Sequence, residues 1–145
     1  MKILLQRVNY ARVTVNQEIV GQIEKGLLLL VGIGKNDNDV NLKILANKVL
    51  NLRIFGNEQG RIDKSVLDIG GEILMVPQFT LYADTSKGRR PEFFSAMEPI
   101  KAKEFTEKFV EILKASNLKI EQGIFGADMK VSLENDGPVT IMLES

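Results

Sequence analysis

The run LLLLVGI at residues 27–33 is the longest apolar stretch in the chain, and the rest of the fold is predicted around it. Its length suits a β-strand and falls well short of the roughly 20 residues that a membrane-spanning helix needs. A strand without polar alternation is typical of one that is covered on both faces. The run therefore predicts a central, buried strand.

The residues before this run predict an antiparallel meander. Residues 2–8 and 11–15 alternate polar and apolar side chains, as half-buried strands do. Turn-forming residues lie around Asn16-Gln17 and at Lys25-Gly26. We expect three consecutive strands that end with the central one.

Apolar residues at helical spacing predict two helices. The first spans about residues 39–52, is capped by Asp37 or Asp39, and has an apolar face formed by Val40, Ile44, Leu45 and Leu52. The second begins at Pro99 and ends near Asn117, with an apolar face of Ile100, Phe105, Phe109, Ile112 and Leu113.

The remaining segments complete a mixed pattern. Residues 56–72 are rich in glycine and predict a loop with a short strand pair or turn, and residues 72–83 predict a strand that Pro77 interrupts. The tail, residues 118–145, predicts three short strands separated by glycines. This order predicts an α+β fold, a mostly antiparallel sheet with helices packed on one side, in a single domain of residues 1–145.

Composition excludes several kinds of chemistry. The chain has no cysteine and no histidine, which excludes a disulfide framework, a thiolate nucleophile and an imidazole base. We expect no metal and no cofactor. No secretion signal is recognisable at the start, so we expect a soluble, cytoplasmic protein with no membrane partner.

The segment VPQFTLYAD, residues 76–84, places a proline inside an apolar strand pattern. Proline has no N–H for a sheet, so backbone groups near it are free, and Gln78 and Thr80 add an amide and a hydroxyl. These groups are the components of an oxyanion hole. An edge strand with a structural proline explains the same residues.

The segment NDGPVT, residues 135–140, puts Gly137 and Pro138 where alternation predicts a terminal strand. Both residues weaken strands. One interpretation is a rigid backbone corner, with a cis Gly-Pro bond, that aims carbonyls at a ligand. The other is a turn that ends a hairpin.

The segment SKGRRPEFF, residues 86–94, clusters Lys87, Arg89 and Arg90 before two aromatic residues. Such a cluster can hold phosphates and stack bases, whereas a solvated loop is the simpler explanation. The formal net charge is zero, so any nucleic-acid contact has to come from a local basic patch of this kind.

Four segments, taken in order, resemble the D-aminoacyl-tRNA deacylase family over nearly the whole chain: MKILLQRVNYARVTV, VGIGKNDNDVNLKILANKVLNLRIF, PQFTLYADTSKGRRPEFF and FGADMKVSLENDGPVT. The Gln-Phe-Thr-Leu motif and the Gly-Pro motif followed by Val-Thr are specific for that family. The resemblance implies hydrolysis of the ester that joins a D-amino acid, or glycine mischarged on tRNA(Ala), to the terminal ribose of a tRNA. It also implies a metal-free homodimer with the active site at the subunit interface.

The resemblance also implies roles for individual residues. Gly137 and Pro138 hold the substrate amino group through their carbonyls, exclude L-side chains, and project into the partner's pocket. The oxyanion side is formed by Gln78, Phe79 and Thr80, with the N–H groups of the last two facing the scissile carbonyl. The basic residues at 87, 89 and 90 are the expected tRNA contacts.

Two further positions bear on substrate choice. Arg7, in the matching strand LLQRV, steadies the Gly-Pro corner of the other subunit in this resemblance. Pro77 departs from the family, which usually has serine there, so no hydroxyl at that position can be an essential nucleophile. A related tRNA deacylase with relaxed chirality also has proline there, whereas DGPVT matches the strict family, and chiral strictness stays open.

Alternatives remain at the level of mechanism and of function. Substrate-assisted hydrolysis combines backbone donors with the ribose 2′-hydroxyl, and the competing mechanism uses Thr80 as a nucleophile without an evident base. A non-catalytic RNA- or protein-binding module would explain the basic loop and the lack of catalytic side chains. An esterase or amidase on free D-amino-acid derivatives would explain a pocket without tRNA.

Overall fold

The computed structural model describes residues 1–57 and 59–145, and Glu58, in the segment predicted as a loop, lies outside the described residues. The strands are β1 Lys2–Val15, β2 Glu18–Ile23, β3 Gly26–Gly32, β4 Phe55–Gly56, β5 Ile62–Lys64, β6 Glu72–Pro77, β7 Ile120–Gln122 and β8 Lys130–Glu144. The helices are α1 Asp39–Asn51 and α2 Pro99–Lys114, and a 3₁₀ turn spans Phe79–Tyr82. The predicted α+β class is confirmed.

The long strand β1 organises the main sheet. On one edge it pairs antiparallel with β8 from Lys2 to Thr14. On the other edge its residues 2–8 pair with β3 and its residues 11–15 pair with β2. The predicted meander is therefore wrong in its pairing: β2 and β3 lie end to end along β1, because β1 is long enough to hold both.

The central position predicted for residues 27–33 is confirmed. β3 lies between β1 and β6, and β6 and β7 extend the sheet with parallel pairing. Leu27 and Leu29 pack in the cluster that contains both helices, whereas Leu28 packs in a second cluster on the other face. Each fully buried leucine contributes roughly 1.5–3 kcal/mol from the hydrophobic effect.

The second cluster lies inside a curl of the sheet. A Cβ added to Gly21 of β2 would lie 2.9 Å from the carbonyl oxygen of Gln122 in β7, so these two strands approach across the curl. The cluster between them contains Val8, Val13, Leu74 and Val76. The two helices cover the opposite face of the sheet.

The first helix differs from its prediction at the cap and in the buried face. Asn38, and not Asp37 or Asp39, caps α1, because its Oδ1 accepts the Val40 N–H at 2.9 Å. The buried residues are Leu42, Leu45, Ala46 and Val49. Val40 and Ile44 are 62% and 53% exposed, because the helix packs on the sheet through the neighbouring row of residues that contains Leu42 and Val49.

The second helix starts at Pro99 as predicted and ends at Lys114. Its buried face is formed by Ala102, Thr106, Phe109, Val110 and Leu113. Ile100 was expected on that face and is instead 73% exposed. Among residues 1–57 and 59–145, no helix is both long and apolar enough to cross a membrane.

The tail forms two strands and not the three predicted, because β8 continues through the Gly-Pro pair. Gln6 pairs with Thr140 and Val8 pairs with Asn135, so Arg7 alone lies opposite residues 136–139. The extra residues leave the ladder as a bulge, which an antiparallel pair can absorb without ending. The pair therefore forms a bulge within a continuous strand and does not terminate it.

Candidate active site

A mostly apolar cavity of about 470 Å³ lies where the end of β6 meets the start of α2. Its walls come from strands β3, β6 and β8, from α2, and from the segment between β7 and β8. The lining residues include Val31, Val76, Pro77, Gln78, Phe79, Ala102, Thr106, Phe125 and Met129. An apolar cavity with a few polar groups at its edge is the usual form of a small-molecule site.

The backbone changes direction at Gln78. Its N–H donates to the Val31 carbonyl at 2.7 Å, which continues the β3–β6 ladder one residue past Pro77. Its own backbone angles, φ −146° and ψ 79°, then lead out of the sheet into the 3₁₀ turn. Pro77 is not on an edge strand, since β6 lies between β3 and β7, but β7 pairs only with residues 73–75 and leaves Pro77 beyond its end.

The turn begins with two N–H groups that its own hydrogen bonds do not use. Its first bond runs from the Leu81 N–H to the Gln78 carbonyl at 3.3 Å. The Phe79 and Thr80 N–H groups precede that bond, as the leading N–H groups of any helix do. Such donors at a cavity are suited to stabilising negative charge on a bound group.

Side chains of the motif interact with each other and with a nearby aromatic ring. The Gln78 Nε2 donates to the Thr80 hydroxyl, and an amide is not a base that could activate that hydroxyl. Phe79 is 57% exposed, and its ring meets the Phe93 ring edge-on with centroids 5.0 Å apart. Phe93 thus holds the start of the turn against the end of the basic segment.

The Gly137-Pro138 peptide bond is cis, and both residues are exposed. Asn135 closes the bulge from its base. Its Oδ1 accepts the Val139 N–H at 2.8 Å, and its Nδ2 donates to the Thr140 hydroxyl at 2.9 Å. The corner is therefore a braced, outward-facing piece of main chain.

Arg7 lies under this corner and is only 12% exposed. Its Nε donates to the Asp136 carbonyl at 3.0 Å, and a second donor, Nη1, bonds the Ile54 carbonyl. A Cβ on Gly137 would lie 3.0 Å from Arg7 Nη2 and 2.8 Å from Val139 Cγ2. Gly137 also has φ +131°, a conformation that side chains disfavour, so both space and backbone require glycine.

The basic residues at 87, 89 and 90 lie in one exposed loop. Asp84 and Glu92 close it, with the Asp84 N–H donating to the Glu92 carbonyl at 2.8 Å and the reverse bond at 3.0 Å. The Ser86 N–H donates a hydrogen bond to the Asp84 carboxylate, and this bond lowers the pKa of Asp84. Within the described part of the chain, the ion pairs involve none of the three cations.

The structure brings some predicted site residues together and leaves others apart. Pro77, Gln78 and Phe79 line the cavity, and Arg7 contacts the Gly-Pro bulge of its own chain. Gly137 and Pro138 are not among the residues that line this cavity. β8 reaches the cavity through Val131, near its start, whereas Gly137 and Pro138 lie further along the strand, so the two motifs of one chain do not line the same cavity. The expected contact of Arg7 with a partner's corner stays a prediction.

One wall of the cavity was not singled out from the sequence. Phe125, Gly126, Ala127 and Met129 form it, between β7 and β8. The Ala127 N–H donates to the Ile124 carbonyl at 3.2 Å, and Gly126 has φ +77°, which is a β-turn with glycine at the left-handed position. A glycine flanked by apolar residues was the available signal.

Nowhere in residues 1–57 and 59–145 are three His, Cys, Asp or Glu side chains grouped as metal ligands would be.

Comparisons with known proteins match this chain over nearly its full length. A family model described as D-Tyr-tRNA(Tyr) deacylase matches residues 4–144. The D-aminoacyl-tRNA deacylase of Thermosipho melanesiensis is 55% identical over 146 residues, covering 100% of this chain and 97% of the relative. That of Aquifex aeolicus is 53% identical over 145 residues, covering 100% and 98%.

Two solved structures share the fold. The c-Myc DNA Unwinding Element Binding Protein has a TM-score of 0.94 at 44% identity, covering 100% of this chain and 99% of that chain. A probable eukaryotic D-amino acid tRNA deacylase has a TM-score of 0.86 at 17% identity, covering 98% and 97%. At that identity the second likeness concerns the fold alone.

Proposed function

This chain belongs to the D-Tyr-tRNA(Tyr) deacylase family, and from that premise we propose that it hydrolyses the ester between a D-amino acid and the terminal ribose of a tRNA. The observation that carries the proposal at the level of the site is the 3₁₀ turn at the apolar cavity. Its two leading N–H groups are available to a bound carbonyl. A tRNA substrate also implies that the protein works in the cytoplasm, where translation occurs.

The reaction adds water to the ester carbonyl and breaks the bond to the ribose oxygen. The amino acid leaves as a carboxylate, and the ribose oxygen takes a proton to become a hydroxyl. The N–H groups of Phe79 and Thr80 stabilise the oxyanion that forms on the way, and one such donor is worth about 10²–10³ in rate. The neighbouring ribose 2′-hydroxyl assists the attacking water, so the protein needs no titrating side chain.

Substrate recognition is assigned to main chain. The Gly137-Pro138 corner of one subunit enters the partner's cavity in a homodimer, and its carbonyls bind the substrate amino group. Three observations support this arrangement: the corner is exposed, it is braced by Asn135 and Arg7, and it does not line its own cavity.

Handedness follows from steric exclusion by that main chain. A wall close to the α-carbon rejects an L-side chain whatever its identity, whereas a D-side chain points away from it. Glycine has no side chain to exclude, so glycyl-tRNA, including tRNA(Ala) mischarged with glycine, is a further substrate. Pro77 replaces the hydroxyl residue usual at the cavity edge, and relaxed chirality is the alternative outcome that it raises.

The exposed loop that carries Lys87, Arg89 and Arg90 binds tRNA phosphates in this proposal. It is connected to the catalytic turn through the ring contact between Phe93 and Phe79. Phosphate contacts supply affinity without regard to the amino acid. The loop therefore sets tRNA affinity, and the main-chain corner sets the choice of amino acid.

One assay tests the reaction and its competitors. The protein is incubated with D-Tyr-tRNA, L-Tyr-tRNA, Gly-tRNA(Ala) and a simple D-tyrosine ester, and release of the amino acid is followed. Selective hydrolysis of D-Tyr-tRNA and Gly-tRNA(Ala) is expected. No release from D-Tyr-tRNA would leave a binding module, equal turnover of the simple ester would indicate a general esterase, and release from L-Tyr-tRNA would indicate relaxed chirality.

The mechanism is tested with a modified substrate and one variant. A D-Tyr-tRNA that ends in 2′-deoxyribose should not be hydrolysed if the ribose assists the reaction. Thr80→Ala should retain most of the activity, because the hydroxyl is not the attacking group. Loss of nearly all activity in Thr80→Ala, with turnover of the 2′-deoxy substrate, would instead assign the nucleophile to Thr80.

A further inference from the structure

Tyr82 is the last residue of the catalytic turn, and its side chain packs against the main chain of Gly32 and Gly34 at the end of β3. A Cβ on Gly34 would lie 2.5 Å from the Tyr82 hydroxyl oxygen and 2.8 Å from Cζ. A Cβ on Gly32 would lie 3.0 Å from the Gln78 carbonyl and 3.3 Å from Tyr82 Cδ2. Distances below 3.0 Å are incompatible with a real side chain, so Gly34 makes room for Tyr82.

The Tyr82 hydroxyl and the buried carboxylate of Asp37, whose side chain is 8% exposed, both lie beside Gly34 and line the same small cavity. Asp37 is itself fixed, because its carboxylate accepts the Gly34 N–H at 2.6 Å and also binds the Met1 amino group. Burial, and then Asp37, raise the pKa of Tyr82, so the phenol stays protonated. The Lys2 ammonium lies 5.1 Å from the ring centroid.

Tyr82 is placed to anchor the far end of the turn, since it is the last residue of the turn and lies two residues before the hydrogen bonds between Asp84 and Glu92. At its start the Gln78 N–H bonds Val31 in the sheet at 2.7 Å. Within it the bonds are those of a 3₁₀ turn, whose geometry is weaker than that of an α-helix. An oxyanion donor has to lie about 2.7–3.1 Å from the developing charge, and a displacement of about 1 Å elsewhere in an enzyme can cost about 10²-fold in rate.

We propose that Tyr82 is a positioning residue for the deacylase reaction: its seat on Gly34 and Asp37 orients the turn that presents the Phe79 and Thr80 N–H groups. This inference rests on the proposed function for its effect on rate. Its structural content, that Tyr82 sets the placement of these two amides, stands apart from any activity. Tyr82 acts through the turn and does not touch the substrate.

The test removes one hydroxyl and keeps the ring. Tyr82→Phe loses the interaction with Asp37, and Tyr10→Phe is the matched control, since Tyr10 is the other tyrosine of the chain and is 43% exposed on β1. The measurements are kcat and KM for D-Tyr-tRNA, the melting temperature, and the backbone amide NMR signals with their hydrogen exchange. We expect kcat of Tyr82→Phe to fall about tenfold with KM nearly unchanged.

The amide readout separates positioning from general stability. In Tyr82→Phe the Phe79 and Thr80 amide signals should shift and exchange faster, while the signals of the core amides stay as in the parent and the melting temperature falls only as far as the loss of one interaction requires. Tyr10→Phe should change none of these. Unaltered Phe79 and Thr80 amides in Tyr82→Phe would overturn the proposal, whatever the activity. If the parent itself releases no amino acid from D-Tyr-tRNA, the proposed function fails, and these amides still decide whether Tyr82 positions the turn.

Discussion

The Arg7 guanidinium donates from Nε to the carbonyl of Asp136 at 3.0 Å and lies 3.1 Å from the carboxylate of the same residue. With the bond from Nη1 to Ile54, it joins β1, the segment after α1 and the bulge of β8. Hydrogen bonds from a charged donor are worth about 1.5–3 kcal/mol each. Arg7 therefore holds the Gly-Pro corner in place from below.

Arg7→Lys tests whether this geometry, and not the charge alone, supports the corner. A lysine keeps the charge but has one compact ammonium and cannot reach the same acceptors together. We expect kcat/KM for D-Tyr-tRNA to fall at least about tenfold, as for a loss of about 1.4 kcal/mol. Arg53→Lys is the matched control, because Arg53 forms an exposed ion pair with Asp63 at 3.2 Å and should tolerate the change. Equal rates for both variants would show that the geometry of the Arg7 guanidinium is not required for activity.

Mixing two inactive chains tests the shared active site. A chain with Phe79→Pro lacks an N–H that we propose binds the oxyanion, and a chain with Arg7→Ala lacks a braced corner. In a dimer with sites across the interface, one of the two mixed sites combines an intact turn with an intact corner. We expect co-refolded chains to recover roughly a quarter of the parent activity, because half of the dimers are mixed and each has one good site. A solution mass of 16.2 kDa for the active protein would rule out such a dimer.

Replacing Phe79 by proline removes the N–H of the turn while keeping a residue that the backbone accepts. Proline suits the first position of a helical turn, and the preceding Gln78, with φ −146° and ψ 79°, lies outside the helical region that a following proline disfavours. We expect kcat to fall about 10²–10³-fold. Phe79→Ala keeps the N–H and loses only the ring, so it should retain far more activity. Similar rates in the two variants would indicate that this N–H is not used.

The exposed loop predicts a salt-dependent contribution to tRNA binding. Replacing Arg89 and Arg90 by glutamine should lower the slope of log affinity against log salt by about 1.4–1.8, since each phosphate contact contributes about 0.7–0.9. The same double change at Lys43 and Lys48, which are exposed on α1, is the control and should leave the slope unaltered. Salt titrations of tRNA binding to the two variants measure the difference. An equal loss of slope in both would assign binding to general charge.

Alkaline titration checks the environment of Tyr82. Its pKa lies above the ordinary value of about 10, because of burial and the carboxylates of Asp37 and Glu144, although the Lys2 ammonium lies over the ring. The native state therefore binds the phenolic proton more tightly than the unfolded chain does. Its stabilising effect is complete below about pH 10 and is lost as the pH rises further.

The measurement uses the variant in which Tyr82 is the only tyrosine. In Tyr10→Phe, tyrosinate absorbance should appear well above pH 10, at about the pH where the protein unfolds. Tyr82→Phe should lose less stability than the parent between neutral and strongly alkaline pH. A normal tyrosine titration in the folded Tyr10→Phe protein would contradict the placement of this hydroxyl beside Asp37.

Local patterns predicted the elements and the motifs of the site. Turn residues at positions 16–17, the helix start at Pro99 and the apolar run at 27–33 all specify structure through near neighbours, and the structure agrees with each. The Gln-Phe-Thr and Gly-Pro motifs were likewise recognisable from their order. In contrast, the choice between two apolar stripes on α1 depended on where the sheet lies, which left Val40 and Ile44 exposed.

The packing of Tyr82 against Gly34 and Asp37 was not predictable, because these residues are distant from Tyr82 in sequence. Gly34 and Asp37 follow β3, whereas Tyr82 follows β6, and parallel pairing of these two strands brings their ends together. A tyrosine at the end of a short turn carries no local signal of such a role. The available signal that another segment packs there was two glycines at alternate positions, Gly32 at the end of the central strand and Gly34 just after it.

Residue type and short-range spacing were enough to predict the central strand, the two helices, the absence of cysteine and histidine chemistry, and the two backbone motifs. Three features emerged only in the folded chain: β3 pairs with β1, β8 continues through a cis Gly-Pro bulge, and this bulge does not line the cavity of its own chain. Strand partners are chosen by contacts between residues far apart in the chain, which no local pattern encodes. That separation of the two main-chain motifs is our reason for proposing that a second copy of the chain completes the site.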